Sequence, residues 1–307
     1  MSELIDVVID EDYDVIKNLG TGRFSYITLV EDKQHNNKIK TLKQFTKSSV
    51  NKMDFIREYN YSLFLSPHPN FIITYQGVYS TPDTYFFAQE FSPYGSVRDI
   101  VYKSVTGLSE QTAKNLIYQV ALALQFLHNE GLVHRNLQAK NVLVYDESLT
   151  RAKLTDLGLT KREGTMVKHF DVTHEYHAPE LCDCIMKEKY SVDPAIDVWA
   201  FGILVYFVLQ GRYPWEKATI LCRPYWKWDE YMKGKVPQPP RKWNVFSDKL
   251  IKFFRKTLRP AWKDRCDIKD LNKYFKVRWM KGSASDEQTD EHKSGFRKWL
   301  ERLLGIS

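Results

Sequence analysis

The sequence has few features that would place the protein outside a reducing, aqueous compartment. Its four cysteines form no CxxC pair and have no histidine at zinc-like spacing, so we expect reduced thiols and no structural zinc. The acidic N-terminus lacks the basic stretch of a secretory signal. The longest apolar run, residues 198–209, has only 12 residues, which is too short to span a bilayer and predicts a buried core helix. We therefore predict a cytoplasmic protein.

Internal repeats and clustered charges are also missing. No period of about 20–50 residues recurs, which excludes solenoids and propellers. The net charge of +7 is modest for 307 residues, and lysine and arginine are spread along the chain, so nucleic acid is not an expected partner. Hydrophobic residues make up 43% and charged residues 27%, which excludes a mainly disordered chain.

The hydrophobic pattern changes once along the chain. Residues 13–93 are rich in alternating and β-branched segments, which predict a mostly antiparallel sheet interrupted by one helix near residues 51–65. The predicted strands are SYITLVED (25–32), KIKTLKQF (38–45), FIITYQGVY (71–79) and TYFFAQEF (84–91). From about residue 94 the period becomes helical. We therefore predict an α+β, bilobal protein with a small β-rich lobe and a larger helical lobe, whose cleft is a common place for a ligand.

Helices of the second part have clear limits. Over residues 109–131 Ser109 is a predicted N-cap and Gly131 a predicted stop. The apolar residues of this helix fall on one face: Ala113, Leu116, Ile117, Val120, Ala121, Leu124 and Leu127. Further helices are predicted at 195–211 and 247–258.

After residue 275 the composition shifts again. We predict a polar linker over 281–295 within a tail that spans 276–307. The segment 296–307 predicts a short basic amphipathic helix, which has three open interpretations. It binds calmodulin, lies on an anionic membrane surface, or docks onto the helical lobe.

Several residues of the first part are suited to hold a nucleotide. Gly20 and Gly22 have the G-x-G spacing of a turn where bare backbone can approach phosphates, although a simple hairpin turn would look the same. Lys43 follows on a predicted strand and Glu58 on the predicted helix. A buried lysine held by a helix glutamate could grip phosphates, whereas each residue alone is more often a solvated surface charge.

The order of the motifs is more informative than any one of them. After the glycine turn, the lysine and the glutamate come HRN (134–136), Asn141, DLG (156–158), APE (178–180), IDVWAFG (196–202) and Arg265. Over about residues 14–275 this order resembles the signature set of protein kinases. The stretches FIREY, FAQEF, YHAPE and DVWAFG are similar to those of the SH3-binding-domain serine/threonine kinases. The resemblance implies a kinase domain with an N-lobe at 14–93 and a C-lobe at 94–275.

The resemblance also implies a role for each matching residue. The nucleotide would be contacted by Gly20, Thr21, Gly22, Ser25, Ile27, Thr41, Lys43, Gln89, Glu90, Ser92 and Leu143. Within this set, Gln89 would lie at the back of the adenine pocket, and Glu90 to Ser92 would form the hinge whose backbone bonds the base. Asn141 and Asp156 would hold Mg²⁺, which prefers oxygen ligands.

Other implied roles are structural or concern the substrate class. Asp197 would brace the HRN loop from beneath, and Glu180 would pair with Arg265. The pattern of Thr173 and Tyr176 before APE is typical of the serine/threonine class.

Four positions depart from the family pattern. Asn136 replaces the catalytic aspartate, and Gln138 replaces the lysine that contacts the transferred phosphate. Thr41 replaces a small alanine above the adenine, and Val172 replaces the glycine before Thr173. General-base assistance is worth about 10²–10⁴ in rate, and a lost phosphate contact costs a comparable factor. From about 1–100 s⁻¹ for a working kinase, turnover would fall to about 10⁻² s⁻¹ at best.

Three functions follow from this combination of retained and lost residues. The first is a pseudokinase that binds ATP and Mg²⁺ and acts on an unknown protein partner through its conformation. The second is a slow but genuine serine/threonine kinase of protein substrates, since Asn136 keeps one hydrogen-bond acceptor. The third is an interaction scaffold that binds no nucleotide.

The segment VPQPPRK (236–242) has two open interpretations. It fits the pattern of an SH3 ligand through Pro237, Pro240 and Lys242, or it forms a rigid loop between two helices.

Overall fold

The computed structural model describes residues 4–22, 24–104, 106–168, 174–182 and 189–282. The chain divides into two compact units. The first runs to Ser92 and also takes in Lys153–Thr160, and the second comprises Pro93–Ala152 and the chain from Lys161 onward. The predicted C-terminal helix at 296–307 lies outside the described residues.

The first unit is built on a six-stranded sheet. Its strands are β1 (Leu4–Asp6), β2 (Tyr13–Thr21), β3 (Ser25–Asp32), β4 (Lys38–Thr46), β5 (Val78–Ser80) and β6 (Thr84–Glu90). Their spatial order is β1-β5-β6-β4-β3-β2, and only the pairing of β1 with β5 is parallel. Two helices accompany the sheet, α1 (Ile9–Asp12) and α2 (Lys52–Leu65). The predicted, mostly antiparallel sheet with one long helix is confirmed.

The two faces of this sheet bury different clusters, because successive side chains of a strand point to opposite sides. One face packs Tyr13, Val30, Leu42, Phe86 and Ala88 together. The other face packs Phe45, Val78 and Phe87 against Phe55 and Tyr59 of α2. Since Lys43 lies two residues before Phe45 on β4, it projects to the α2 face. This alternation brings a charged side chain to the helix.

Helix α2 begins and ends where its sequence predicts. The backbone N–H of Asp54 donates to Asn51 Oδ1 over 2.9 Å, which caps the first turn. Phe55, Glu58, Tyr59, Ser62 and Leu65 are the buried residues of the helix, and their spacing of three or four residues forms one stripe. Glu58 therefore belongs to the face that packs on the sheet.

The prediction of a strand over FIITYQGVY is wrong for most of its length. Only Val78–Ser80 forms a strand. Residues 71–77 are held instead by isolated bridges, Phe71 with Leu154 and Thr74 with Gln89, and Gly77 has a φ of +123°. β-Propensity here predicts extended backbone correctly, but a continuous ladder also needs a partner strand in register along its whole length.

The second unit is mainly helical. Its helices are α3 (Val97–Lys103), α4 (Glu110–Asn129), α5 (Pro179–Cys182), α6 (Ala195–Gln210), α7 (Arg223–Met232) and α8 (Asp248–Thr257). Five 3₁₀ segments occur in the described chain, at Lys33–His35 in the first unit and at Ala139–Asn141, Arg241–Trp243, Trp262–Asp264 and Ile268–Lys276 in the second. The remaining described elements are short strands: β7 (Leu132–Val133), β8 (Val142–Val144), β9 (Ala152–Leu154), β10 (Lys161–Arg162), β11 (Met166–Lys168) and β12 (Lys189–Ser191). The last two residues of β9 belong to the first unit. The predicted α+β class is confirmed.

The two central helices of this unit match their predictions closely. Ser109 caps α4, since its Oγ accepts from the Thr112 N–H over 3.2 Å, and Gly131 follows the helix with a φ of +66°. All seven residues of the predicted apolar face are buried. The apolar run at 198–209 lies within α6 and is fully buried. None of the helices described combines the length and the apolar character needed to cross a membrane.

Close approach between α6 and α8 depends on one glycine. A Cβ atom at Gly202 would lie 2.6 Å from Thr257 Oγ1 and 2.8 Å from Leu258 Cδ2. These distances are shorter than van der Waals contact, so a larger residue at this position would require the side chains of Thr257 and Leu258 to shift. The core of the unit is assembled across this contact.

The proline-rich segment lies in the connection between α7 and α8, which agrees with the loop interpretation. Trp215, Trp228 and Trp243 are buried near this connection, while Trp226 is 45% exposed. The ammonium of Lys242 donates to the carbonyl of Pro214.

Candidate active site

The glycine turn joins β2 to β3 in the first unit. Gly20 pairs with Ile27, and Thr21 pairs with Tyr26. The Gly22 N–H donates to the Ser25 carbonyl over 2.7 Å, and a Cβ at Gly22 would lie 3.3 Å from that same oxygen. A Cβ at Gly20 would meet nothing within 4 Å. A side chain at Gly22 would therefore be tight against the turn, whereas a side chain at Gly20 would meet open space beside the strand.

A buried charge cluster lies on the α2 face of the sheet. Lys43 Nζ donates to Glu58 Oε1 and, over 2.8 Å, to Asp156 Oδ1. Lys43 is 5% exposed and Glu58 is 7% exposed. Burial acts to lower the pKa of Lys43, but the carboxylates of Asp156 and Glu58 outweigh it and the pKa is raised. The lysine is therefore a permanent cation held between two carboxylates, and the surface-charge interpretation of Lys43 and Glu58 is wrong.

The DLG segment is shaped to fit this cluster. A Cβ at Gly158 would lie 2.5 Å from Glu58 Oε2, so a larger residue would displace the glutamate that holds Lys43. Asp156 has a left-handed backbone with a φ of +65°, a conformation that costs a non-glycine residue about 1–2 kcal/mol. Strain of this kind persists only where the surroundings enforce it. Here Lys43 fixes the Asp156 carboxylate.

The residues expected around a base lie on β4 and β6. Gln89 Nε2 donates to Thr74 Oγ1 over 3.0 Å. The Glu90 carboxylate accepts from the Ile73 N–H over 2.7 Å and from Lys153 Nζ over 2.6 Å. The side chains of Gln89 and Glu90 are therefore both hydrogen-bonded to other parts of the first unit. Ser92 ends the continuous part of this unit.

In the second unit, Asp197 of α6 organises the HRN loop. Its carboxylate accepts the backbone N–H groups of His134 and Arg135 over 2.7 and 2.8 Å, and it lies 3.0 Å from His128 Nε2. Asp197 is 1% exposed. Burial acts to raise its pKa, but the hydrogen bond with His128 and the N–H donors outweigh this and the pKa is lowered. The ionised carboxylate thus fixes the loop on which Asn136 lies.

Asn136 and Gln138 are hydrogen-bonded to each other. Gln138 Nε2 lies 2.7 Å from Asn136 Oδ1 and 3.1 Å from His174 Nε2. Asn141 Nδ2 donates to the Asn136 carbonyl over 2.8 Å. Burial lowers the pKa of His174 to about 4, with a further contribution from Lys140, so this imidazole is neutral at pH 7. The centre of the loop is thus a chain of three uncharged side chains.

Further contacts fix the flanks of the loop. Arg135 donates to the Tyr190 hydroxyl from Nη2 over 2.9 Å. Arg265 makes a two-pronged ion pair with Glu180, with distances of 2.6 and 2.7 Å. The expected pairing of Glu180 with Arg265 is present. Leu143 is half-buried and forms an isolated bridge with Ser96.

The family model of the protein kinase domain matches residues 13–276. The chain belongs to the protein kinase family. The zebrafish (Danio rerio) serine/threonine-protein kinase SBK1 is 39% identical over 278 residues, which cover 90% of this chain and 71% of that protein. The Mus musculus serine/threonine-protein kinase SBK2 is 29% identical over 309 residues, which cover 98% of this chain and 84% of that protein. The Caenorhabditis elegans protein C01C4.3, named as a candidate serine/threonine-protein kinase, is 44% identical over 277 residues, with 89% and 68% covered. The predicted resemblance to the SH3-binding-domain serine/threonine kinases is confirmed.

The predicted site residues of this kinase domain are gathered in two groups. The first unit brings Lys43, Glu58 and Asp156 into direct contact. The second unit brings Asn136, Gln138 and Asn141 into direct contact. The expected metal ligands Asp156 and Asn141 thus belong to different units. Val172 and Thr173 lie outside the described residues.

Sequence reasoning missed His174, and it singled out Thr74 only as a polar residue at a usually apolar position of the internal spine, without its contact to Gln89. His174 touches Gln138, and Thr74 bonds the side chain of Gln89. The only available signal for His174 was its place in HEYHAPE, where a polar ring directly follows Thr173. Nothing in the local sequence of Thr74 pointed to Gln89, since that contact depends on the pairing of distant segments.

A cavity of about 310 Å³ lies within the first unit. It is lined by the buried ion pair of Asp32 and Lys40, 2.5 Å apart, together with Tyr13 and Tyr75. None of the predicted nucleotide-contacting residues lines it.

Proposed function

We propose that the chain is a pseudokinase of the serine/threonine branch, which binds Mg·ATP and transfers phosphate very slowly or not at all. The observation that carries this proposal is the bond between Asn136 and Gln138. In the family pattern these two positions hold an aspartate and a lysine that act on the substrate. Here both side chains are neutral, and each satisfies part of the hydrogen-bonding capacity of the other.

The loss of charge at these two positions explains the expected loss of rate. Phosphoryl transfer depends on positioning and on electrostatic stabilisation of the transferred group. An amide cannot take up the proton of an alcohol at neutral pH, and Gln138 offers no positive charge to the phosphate. Because the two residues act as a unit, their contributions to the barrier do not simply add.

The retained cluster supports nucleotide binding. Lys43 is held rigidly by Glu58 and Asp156, so its ammonium is pre-organised for contact with phosphate oxygens. Each expected metal ligand also offers an atom of the kind that Mg²⁺ prefers, since the Asp156 carboxylate and the side-chain oxygen of Asn141 are hard oxygen ligands. Asn141 uses its Nδ2 to bond the loop, which leaves Oδ1 as its metal-binding atom. When bound, Mg²⁺ would neutralise phosphate charge.

Titration of the purified chain with Mg·ATP tests the nucleotide half of this proposal. We expect the melting temperature to rise with ATP concentration, since ligands that bind only the folded state stabilise it. Lys43→Ala is the control, because it removes the cation and leaves two carboxylates near the phosphates. An unchanged melting temperature in the unaltered chain would favour the nucleotide-free scaffold.

A slow but genuine serine/threonine kinase is the second candidate function. It is favoured by Asp197, whose carboxylate orders the backbone of the HRN loop. Incubation with labelled ATP and a generic protein substrate separates the two candidates. Labelling that disappears in Lys43→Ala supports the slow kinase, and labelling equal to that control supports the pseudokinase.

The protein partners remain proposals. Lys242, the basic position of the SH3-ligand pattern, donates its ammonium to Pro214 within its own unit, which counts against recognition of the folded loop by an SH3 domain. For the tail, deletion of 283–307 followed by vesicle-binding and calmodulin-binding assays is the direct test. Unchanged binding after this deletion would exclude the tail as the basis of either interaction.

A further inference from the structure

Thr41 makes an unusual contact with the backbone of the neighbouring strand. It lies on β4 opposite Gln89 of β6 and is 6% exposed. Its Oγ1 lies 3.3 Å from the carbonyl oxygen of Gln89 and 3.3 Å from that of Glu90. One hydroxyl proton is therefore shared between two consecutive carbonyls.

The geometry of this contact makes both hydrogen bonds weak, so the hydroxyl proton can easily move to another acceptor. Hydroxyl-to-oxygen hydrogen bonds usually measure about 2.7–2.8 Å, so both distances are long. A hydroxyl also rotates freely about its C–O bond and can turn its proton to a better acceptor. Thr41 thus places a mobile donor on the carbonyls of Gln89 and Glu90.

The side chains nearby cannot take over the role of those carbonyls. The Gln89 amide is bound to Thr74, and the Glu90 carboxylate is bound to Ile73 and Lys153. The Glu90 N–H donates to the Ile73 carbonyl over 3.0 Å. At Glu90 the carbonyl oxygen is therefore the group left to receive a donor from a ligand, and Thr41 competes for it.

We propose that Thr41 determines the purine preference of the nucleotide site by weakening its selectivity for a 6-amino over a 6-oxo purine. This inference rests on the proposed nucleotide binding and on a base that meets the backbone at Glu90. The 6-amino group of adenine must share the Glu90 carbonyl with the Thr41 hydroxyl. The 6-oxo group of hypoxanthine would be repelled by the carbonyl alone, but it can accept the Thr41 proton once the hydroxyl turns.

The test compares Mg·ATP with Mg·ITP, two nucleotides that differ at this position of the base. Dissociation constants are measured by isothermal titration calorimetry for the full chain and for Thr41→Val, which keeps the branched shape but lacks the donor. We expect the unaltered chain to prefer ATP by less than about tenfold. In Thr41→Val, ATP should bind more tightly and ITP more weakly, which raises the preference about tenfold, as expected for net hydrogen-bond changes of ordinary size.

Two further variants serve as controls. Thr41→Ser keeps the hydroxyl, so its preference should match that of the unaltered chain. Thr257 shares its hydroxyl between two consecutive carbonyls in the same manner, at 3.3 and 3.5 Å, but lies in the second unit. Thr257→Val removes an equivalent contact and should leave the ATP-to-ITP ratio unchanged.

The outcomes separate this inference from the proposed function. If the chain binds both nucleotides and Thr41→Val leaves their ratio unchanged, the inference is wrong and nucleotide binding stands. If neither nucleotide binds to any variant, both are overturned. Should Thr41→Val fail to fold, Thr41→Ala takes its place, since it also removes the hydroxyl. An ATP-to-ITP ratio that is unchanged in this variant contradicts the inference.

Discussion

At the scale of single residues, the chemistry of the HRN loop depends on which groups carry charge. Asn136, Gln138 and His174 are all neutral at pH 7, so none of these three bonded side chains carries a charge. Asp197 beneath the loop is ionised. The backbone of the loop is ordered independently of the side chains at positions 136 and 138. Charges can therefore be introduced at these two positions one at a time.

Restoring the two charges together should recover more activity than restoring either one. Asn136→Asp alone is expected to raise phosphate transfer at least about tenfold, toward the contribution of a general base. Asn136→Asp with Gln138→Lys adds a cation for the phosphate and forms an ion pair in place of the amide bond. We expect the double variant to exceed the sum of the single gains, since such residues act as a unit.

Initial rates with labelled ATP measure this series, and Lys43→Ala in each background gives the blank. If the double variant does no better than Asn136→Asp, then Gln138 is not a principal defect. The cause would then lie in another departure, such as Thr41.

His174 predicts how the stability of the fold changes with pH. Its pKa in the folded chain is lowered to about 4, from 6.5 for an ordinary histidine. Between these values the unfolded chain binds more protons, so the free energy of unfolding rises with pH. We expect the contribution of His174 to be complete above pH 6.5 and to be lost as the pH falls toward 4, a change of about 2–3 kcal/mol.

Urea unfolding at several pH values between 4 and 7 measures this slope. His174→Gln keeps a neutral polar side chain but cannot titrate, so the variant should show a flatter profile. A slope that is equal in both proteins would assign the acid sensitivity to other groups.

At the scale of secondary-structure elements, close packing is concentrated where small residues allow it. Gly202 lets α6 approach α8, and Gly158 makes room for the side chain of Glu58 on α2. These positions are glycines because neighbouring atoms already occupy the space of a Cβ.

Gly202→Ala should therefore destabilise the second unit, although alanine favours helices more than glycine does. Overpacking costs about 1–3 kcal/mol, and the better helix propensity returns up to about 1 kcal/mol. We expect a net loss of about 1–2 kcal/mol in the free energy of unfolding. Gly202→Ala with Thr257→Ala removes one of the clashing atoms and should recover part of the loss in a double-mutant cycle. If the two changes simply add, the clash with Thr257 is not the cause.

The elements that could be predicted are those whose pattern lies within their own stretch of sequence. The face of α4 follows from its period and its ends follow from Ser109 and Gly131, because helices satisfy their hydrogen bonds locally. The segment 71–77 could not be assigned in this way, because a strand exists only through its partner. The same limit applies to the bonds of Thr41 with β6 and of Gln138 with His174, which join residues 36 or more positions apart.

At the scale of the whole molecule, motif order identified the fold although Asn136 and Gln138 are predicted to depart from the family pattern. Lys43, Glu58, Asp156 and Asp197 make buried contacts that hold structure, so the fold has its own requirement for them. The sequence also predicted which residue types had been replaced. It could not predict that the replacements bond to each other, since this depends on side-chain geometry.

The segment before the kinase domain contributes to stability. Residues of β1 pair with β5, and Val7 and Ile9 pack on one face of the sheet while Leu4 packs on the other. Deleting residues 1–12 removes these three half-buried side chains, each worth about 1 kcal/mol. We expect the free energy of unfolding to fall by about 3 kcal/mol, as measured by urea titration. Val8→Ser, at a position that is 57% exposed, is the matched control and should have little effect. Equal stability of the shortened and full chains would contradict a role for the segment.

Strand β1 also determines how a recombinant fragment will behave. The family match begins at residue 13, so a fragment cut at that boundary lacks the strand that lies alongside β5. The exposed backbone donors and acceptors of β5 would then be available to a strand from a second molecule. Samples trimmed to the domain boundary should accordingly self-associate on a sizing column, whereas samples that begin at residue 1 should not.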